Sequence, residues 1–289
     1  MRIFKSVILI LISIVVSIMM ISCNNNQDTN SNVTENQSKL DVTGKFTATF
    51  LKVGKADSMV LSTENHTVII DCGEKGDGKE ILEYLESNNI TKVDYLIITH
   101  FDQDHVGGAS KVIKSIPIDN VLQPSYEKSS SEYDKYCDAM QEMNITPTNV
   151  TQTMNFNLDD VSFTIYPPQK NFYGDNEEND FSLVTKVVHG ENTFLFTGDA
   201  EETRLDEIMS LDNIQCDFLK VPYHGNYLDN LETFLKEVNP KYAVICCSTK
   251  QYADERTLSL LKSLNIETFI TCDYGNIIAI SDGSTISIQ

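Results

Sequence analysis

A cluster of metal-competent side chains directly after an apolar run is the feature that most constrains this chain. Residues 93–98 predict a buried strand, which leads into the sequence Thr-His-Phe-Asp-Gln-Asp-His-Val-Gly-Gly at 99–108. Four potential ligands, in a chain with only five histidines, lie within six residues: His100, Asp102, Asp104 and His105. Residues i and i+2 at a strand end can point the same way and share one metal ion. Residues i+4 and i+5, on the following turn, can reach a second ion. Such a cluster is a far stronger signal than a lone pair of histidines.

Charge and length narrow the classes of function. The chain has 289 residues, with 42 acidic against 22 basic side chains and a formal net charge of −20. This length is ample for a buried core without disulfides. The excess of acidic residues argues against a protein that binds nucleic acid through a basic surface. Phosphate chemistry remains open where metal ions supply the positive charge.

The N-terminus is typical of an export signal. Arg2 and Lys5 precede an apolar run at 7–21, which is short for a membrane-spanning helix. The run ends in Ile-Ser-Cys and resembles the lipobox of bacterial lipoproteins. We therefore expect a signal peptide at 1–22, lipidation of Cys23, and anchoring to the outer face of the bacterial cytoplasmic membrane. A plain secretory signal or an uncleaved anchor is the alternative.

Two further regions follow the predicted signal. Residues 23–43 are polar and rich in asparagine, which predicts a flexible tether. Residues 44–289 begin with strand-like hairpin patterns and later alternate strands with helices. We expect one α+β domain in which two mixed sheets pack together with helices outside.

The motif at 100–108 resembles the metallo-β-lactamase superfamily, whose usual form is His-x-His-x-Asp-His. The middle aspartate is similar to the branch containing the hydrolase domain of competence DNA-uptake channel proteins. Five other segments resemble that branch in the right order: 50–58, 69–73, 179–184, 194–201 and 219–226. The resemblance covers nearly all of 44–289 and implies a metallo-β-lactamase-like αββα sandwich.

The same resemblance implies a two-metal site. His100 and Asp102 would hold one ion, Asp104 and His105 the other, with Asp199 bridging and His224 completing the second site. Asp180 is a further candidate ligand, because other branches place a histidine there. Asp57 and Asp71 are expected to hold loops by hydrogen bonds. Taken alone, Asp199 would more readily be a helix cap and His224 an ordinary loop histidine, but in the context of the other motifs both are expected to be ligands.

The sequence differs from that branch at residues next to the proposed ligands. Tyr223 replaces the first histidine of a His-His-Gly segment, and Asn226 replaces a serine. A His-Pro that is frequent in the branch is absent around Tyr252. The proposed ligands survive these changes, whereas groups that assist the leaving group differ.

The leading hypothesis is a lipid-anchored metal-dependent hydrolase of phosphodiester or phosphoester bonds, acting through a metal-bound hydroxide with Asp104 and Asp199 as catalytic residues. Manganese or zinc is expected first, with iron as a further candidate, because an aspartate in place of a histidine favours harder ions. The substrate would be a small or polymeric phosphodiester; DNA is a candidate that the charge does not favour. A β-lactam or lactone hydrolase, or a non-catalytic surface binding module on the same fold, is the alternative.

Overall fold

The computed structural model describes residues 44–174 and 178–289. The predicted signal peptide, Cys23 and the tether lie outside these residues, so those predictions and the domain boundaries remain predictions. None of the helices in the described part has the length and apolarity that crossing a bilayer requires.

The first sheet has eight strands in the order β15-β14-β1-β2-β3-β4-β5-β6. Its strands are β1 (Phe46–Phe50), β2 (Met59–Ser62), β3 (Thr67–Ile70), β4 (Val93–Ile97), β5 (Ile118–Gln123), β6 (Thr148–Asn149), β14 (Ile277–Ser281) and β15 (Ile286–Ile288). Pairing is antiparallel from β15 to β3 and parallel from β3 to β6, so the sheet is mixed.

The second sheet has seven strands in the order β13-β12-β11-β10-β9-β8-β7. Its strands are β7 (Met154–Leu158), β8 (Val161–Tyr166), β9 (Val184–His189), β10 (Asn192–Phe196), β11 (Phe218–Lys220), β12 (Tyr242–Ile245) and β13 (Glu267–Ile270). Strands β10 to β13 run parallel, and β7 to β10 pair antiparallel.

Helices flank the two sheets. They are α1 (Gly78–Ser87), α2 (Gln103–Val106), α3 (Ala109–Ser115), α4 (Ser131–Glu142), α5 (Glu202–Met209), α6 (Leu231–Val238), α7 (Glu255–Ser263) and α8 (Thr271–Tyr274). Two 3₁₀ turns lie at Glu178–Phe181 and Pro222–Gly225.

Alternation along β1 shows how the layers form. Phe46 and Phe50 point between the sheets, where they contact the rings of Phe194 and Phe218 on the second sheet. Thr49 points the other way, and its Oγ1 lies 2.8 Å from the Tyr84 hydroxyl on α1. One buried cluster fills the space between the sheets, and two others lie between each sheet and its helices. The predicted αββα sandwich of two mixed sheets is therefore confirmed.

Local predictions were less accurate than the architecture. The segment after β4 forms the one-turn helix α2, with Asp102 as its N-cap residue. Strands β5, β6 and β7 were not predicted. Gly108 has an ordinary helical φ of −84°, but a Cβ there would lie 2.2 Å from the Cys72 carbonyl oxygen. Close backbone approach, not an unusual φ, therefore requires this glycine.

Candidate metal centre

The candidate ligands come from strand ends on both sheets. His100 follows β4, and Asp104 and His105 lie on α2 directly beyond it. Asp199 follows β10 and His224 follows β11, which pair in parallel in the second sheet. Because parallel strands bring their carboxyl ends to one edge, residues far apart in sequence meet there.

Four of the predicted ligands converge. Ligand atoms of Asp104, His105, Asp199 and His224 all lie within 4.8 Å of one another. Oδ2 of Asp199 is 3.3 Å from His105 Nε2 and 2.9 Å from His224 Nε2. His224 Nε2 is also 3.4 Å from Asp104 Oδ2. Two imidazoles and two carboxylates within this reach are a suitable donor set for one divalent cation.

His100 and Asp102 lie beside this group; His100 is fully buried, whereas the Asp102 side chain is 33% exposed. The His100 ring centroid is 4.0 Å from that of His105, and His100 Nε2 is 4.0 Å from Asp102 Oδ2. Asp102 also contacts Lys128 at 2.5 Å. Both residues lie next to the group of four, and their role as ligands of a second ion stays a prediction.

Asp180 makes contacts different from those of the other candidates. Its Oδ1 accepts hydrogen bonds from the backbone N–H groups of Glu201 and Arg204, at the start of α5. Asp199 is not the cap of that helix, since the N-cap residue is Glu201. The capping role considered for Asp199 therefore belongs to Asp180 in this structure.

All three histidines present Nε2 to the site. Nδ1 of His224 is 2.9 Å from the Cys246 carbonyl oxygen, which can only accept, so Nδ1 carries the proton. Nδ1 of His105 faces Asp71 Oδ2 at 2.8 Å, and Nδ1 of His100 faces Thr99 Oγ1 at 3.1 Å. Fixing the proton on Nδ1 frees the Nε2 lone pair for a metal.

The buried Nε2 atoms supply the test of whether a metal fits. Those of His100, His105 and His224 are buried and make no hydrogen bond of acceptable geometry in the described residues. Buried polar atoms normally have partners, so three together need an explanation. A cation held by these nitrogens and the adjacent carboxylates would satisfy them. The residues present therefore fit a metal centre.

Protonation in the site follows the same arrangement. Burial lowers the pKa of His100 to about 4, so this imidazole is neutral at pH 7. Burial also opposes the charge on His105, but Asp199 and Asp71 raise its pKa well above the ordinary value. Burial opposes ionisation of Asp104, yet His224 and His105 hold its pKa well below the usual range. Asp104 is thus ionised and ready to ligate, and a cation that binds His105 would displace the second ring proton from its Nε2.

A buried lysine is the main functional candidate that the sequence analysis missed. Lys220 Nζ contacts the Asp57 carboxylate and the Gly198 carbonyl oxygen, and lies 3.4 Å from Asp199 Oδ1. Its side chain is fully buried. A lysine in the apolar strand β11 was the available signal, because lysine is almost never buried without a partner.

Asp71 behaves as expected of a loop-holding carboxylate. It accepts hydrogen bonds from Thr99 N and Oγ1 and also faces His105. Asp57 instead pairs with Lys220, so its expected hydrogen-bonding role becomes a buried ion pair.

The turn that carries His224 is strained. Tyr223 and His224 have φ values of 50° and 51°, a left-handed conformation that costs energy for residues other than glycine. Gly225 follows with φ 77°, and a Cβ there would lie 2.9 Å from Ala253 Cβ. Two consecutive left-handed residues at a proposed ligand are typical of a functional site.

The family follows from a comparison with known sequences. The sequence profile of the Metallo-beta-lactamase superfamily matches residues 51–249. The chain belongs to the metallo-beta-lactamase superfamily. The matched range includes every proposed metal ligand, and members of this superfamily have a metal-dependent hydrolase fold.

Curated relatives support the predicted branch. The chain is 28% identical over 203 residues to ComE operon protein 3 of Bacillus subtilis, covering 69% of this chain and 26% of that protein. It is 28% identical over 200 residues to Recombination protein 2 of Haemophilus influenzae, covering 68% and 23%. Competence protein ComA of Neisseria gonorrhoeae is 25% identical, covering 66% and 25%. The chain thus spans about a quarter of these relatives, and the expected likeness to competence proteins is confirmed.

Solved structures agree on the superfamily fold. The metallo-beta-lactamase fold protein YhfI from Bacillus subtilis superposes with a TM-score of 0.56 at 9% identity, covering 82% of this chain and all of that one. Tm1679, a metal-dependent hydrolase of the beta-lactamase superfamily, gives 0.56 at 13% identity, covering 81% and 98%. At these identities the likeness concerns the fold alone.

Proposed function

We propose that this protein is a metal-dependent hydrolase of phosphodiester or phosphoester bonds that uses two divalent cations. The observation that carries the proposal is the convergence of the buried Nε2 atoms of His105 and His224 on the carboxylates of Asp104 and Asp199. The buried Nε2 atom of His100 lies beside this group, 4.0 Å from Asp102 Oδ2. Buried polar atoms without partners cost free energy, so this arrangement supports a bound cation, which the proposed reaction requires.

The donor set would hold the cations in two groups. Asp104, His105, Asp199 and His224 would form the more complete group. His100 and Asp102 would hold the second ion together with Asp199, which would contribute to both groups. When bound, two such cations lower the pKa of coordinated water and stabilise charge on a displaced oxygen. Mixed imidazole and carboxylate ligands suit manganese, zinc or iron.

The residues of the chain would orient the reactants. Asp104 is partly open to solvent, with 15% of its side chain exposed, so an attacking water could donate a hydrogen bond to it. Asp199 is buried and its Oδ2 faces both His105 and His224. Asp199 would therefore hold together the histidines that the two sheets contribute, while Asp104 meets the incoming water.

The relatives bear on the choice of substrate. Proteins named for competence and recombination favour a nucleic-acid phosphodiester, whereas a net charge of −20 disfavours a long duplex. A short or single-stranded polymer, or a small phosphodiester, satisfies both. Shorter matches to hydroxyacylglutathione hydrolases keep carbonyl substrates, including β-lactams and lactones, as the second candidate.

We further propose that the hydrolase works outside the cytoplasm. The apolar run at 7–21 followed by Cys23 supports a lipid anchor in the bacterial cytoplasmic membrane. Globomycin-sensitive processing and labelling with a fatty-acid analogue, both lost in Cys23→Ala, would test this. Release of unlabelled wild-type chain into the medium would contradict it.

The catalytic proposal is tested with a substrate panel. The chain is loaded with manganese, zinc or iron and assayed on a bis-aryl phosphodiester, single-stranded DNA and a chromogenic β-lactam. Turnover of a phosphodiester that is lost in Asp199→Asn supports the proposal. Turnover of the β-lactam alone favours the second candidate, and no turnover with any metal favours the binding module.

A further inference from the structure

Two lysines lie at the mouth of the metal centre of this strongly acidic chain. Lys55 Nζ is 3.3 Å from Asp104 Oδ2, and Lys128 Nζ is 2.5 Å from Asp102 Oδ1. Both carboxylates belong to the motif at 100–108. The lysine side chains are 24% and 18% exposed. Each ammonium group thus touches a proposed metal ligand on one side and reaches solvent on the other.

The exposure of these lysines separates them from Lys220. Lys220 is fully buried and fixed between Asp57 and Asp199, so it cannot meet a substrate. Lys55 comes from the loop between β1 and β2, and Lys128 from the loop before α4. Lys128 also contacts Glu178, which is 38% exposed. Both lysines stand on loops at the rim, where a side chain can change partner.

Charge in the site changes when cations bind. A carboxylate that ligates a divalent ion attracts a neighbouring ammonium group less, because its charge is already compensated. Each ammonium group has three hydrogen-bond donors and no acceptor. Lys55 and Lys128 would then have unused donors beside the reacting centre. Anionic oxygens of a substrate would satisfy those donors.

We propose that Lys55 and Lys128 form an anion pocket that receives the negatively charged oxygens of a phosphoryl substrate. The inference rests on the proposed function and adds the residues that would receive the charged oxygens of the phosphate ester. Such a pocket concentrates positive charge locally in a chain of net charge −20. It favours a phosphoester over an uncharged lactone.

A purely charge-neutralising role for Lys55 and Lys128 predicts a different result. If the lysines only neutralise Asp102 and Asp104, their removal strengthens metal binding and leaves phosphate affinity unchanged. If they form the anion pocket, phosphate binding weakens at equal metal content. Metal affinity and phosphate affinity must therefore be measured separately.

The test uses the full chain in detergent, loaded with manganese to equal content in every variant. Inorganic phosphate is titrated calorimetrically into the wild type, Lys55→Gln, Lys128→Gln and the double variant. The matched control is Lys114→Gln, whose lysine pairs with Glu142 away from the site. Loss of a charge-assisted hydrogen bond predicts about tenfold weaker phosphate binding for each single variant. Arginine at either position should restore part of the affinity, and the control should match the wild type.

The possible results distinguish failure of the anion pocket from failure of the proposed hydrolase function. Equal phosphate affinity in the wild type and the double variant, or no phosphate binding by the wild type, overturns the anion pocket. If the wild type hydrolyses a bis-aryl phosphodiester and the double variant keeps the same KM, the pocket also fails while the proposed function stands. If phosphate binding depends on the lysines but no phosphoester is hydrolysed, the pocket stands and the proposed function fails.

Discussion

Lys220 Nζ lies 3.4 Å from Asp199 Oδ1, and both side chains are buried. The same ammonium group contacts Asp57, so one lysine serves two buried carboxylates. Burial opposes its charge, but Asp57 and Asp199 raise the pKa of Lys220 above its ordinary value. The lysine therefore stays charged and holds one oxygen of Asp199, while the other oxygen faces His105 and His224.

Lys220→Met should destabilise the protein strongly. Removing one partner of a buried ion pair leaves uncompensated charge, which costs about 3–5 kcal/mol. Manganese should recover part of the loss, because it returns positive charge beside Asp199. Denaturant unfolding with and without manganese measures both effects. Lys236→Met, which removes an exposed pair with Glu232, is the control and should change stability by less than about 1 kcal/mol. An unfolding free energy equal to the wild type in Lys220→Met would refute this role.

Asp71→Asn should weaken metal binding while leaving the ligands in place. Asp71 accepts the Nδ1 proton of His105 and so directs Nε2 into the site. Loss of such a partner typically lowers metal affinity about 10- to 100-fold. Calorimetric titration with manganese measures the change. Asp160→Asn removes a largely exposed carboxylate beside His189 and should bind manganese like the wild type. Equal affinity in both variants would show that Asp71 only holds the loop.

Asp180→Ala distinguishes a helix cap from a ligand. Because Asp180 Oδ1 accepts from Glu201 N and Arg204 N, loss of the carboxylate should cost about 1 kcal/mol of stability. The metal content should not change. Metal analysis of the purified variant measures this directly. Loss of an ion from Asp180→Ala would instead support the ligand role that the resemblance implies.

Divalent cations should stabilise the folded chain. A ligand that binds only the native state adds about 2.7 kcal/mol when its free concentration is 100 times its Kd. Thermal unfolding should therefore shift upward with manganese and return after chelation. The shift should be much smaller in His224→Ala, which lacks one of the four convergent ligands. A melting temperature that is insensitive to every divalent cation would argue against a metal centre.

The ligand cluster could be predicted because it is local in sequence. His100, Asp102, Asp104 and His105 lie at the end of one apolar strand, and their spacing alone suggests a shared metal. Asp199 and His224 could be added only through resemblance. Their approach depends on the parallel pairing of β10 with β11 and on two sheets packing face to face. No periodicity in a single sequence reports such pairing.

Contacts beyond the ligands were harder to predict. Lys220 was overlooked because a charge within a three-residue strand is a weak signal, although its burial explains it. For Asp180, the motif position suggested a metal ligand. In the structure, its Oδ1 accepts a hydrogen bond from the backbone N–H of Glu201 at the start of α5. Strand β5 was missed because exposed polar residues interrupt its apolar pattern. Long-range packing decided the first two cases, and a locally interrupted pattern decided the third.

Metal content together with phosphodiester hydrolysis tests the central claim most directly. The wild type and Asp104→Ala are purified in parallel, analysed for bound metal and assayed with manganese on a bis-aryl phosphodiester. A two-metal hydrolase should hold about two ions per wild-type chain and turn over, and the variant should lose metal and activity. A wild-type chain that binds no transition metal and hydrolyses nothing under any metal would contradict it.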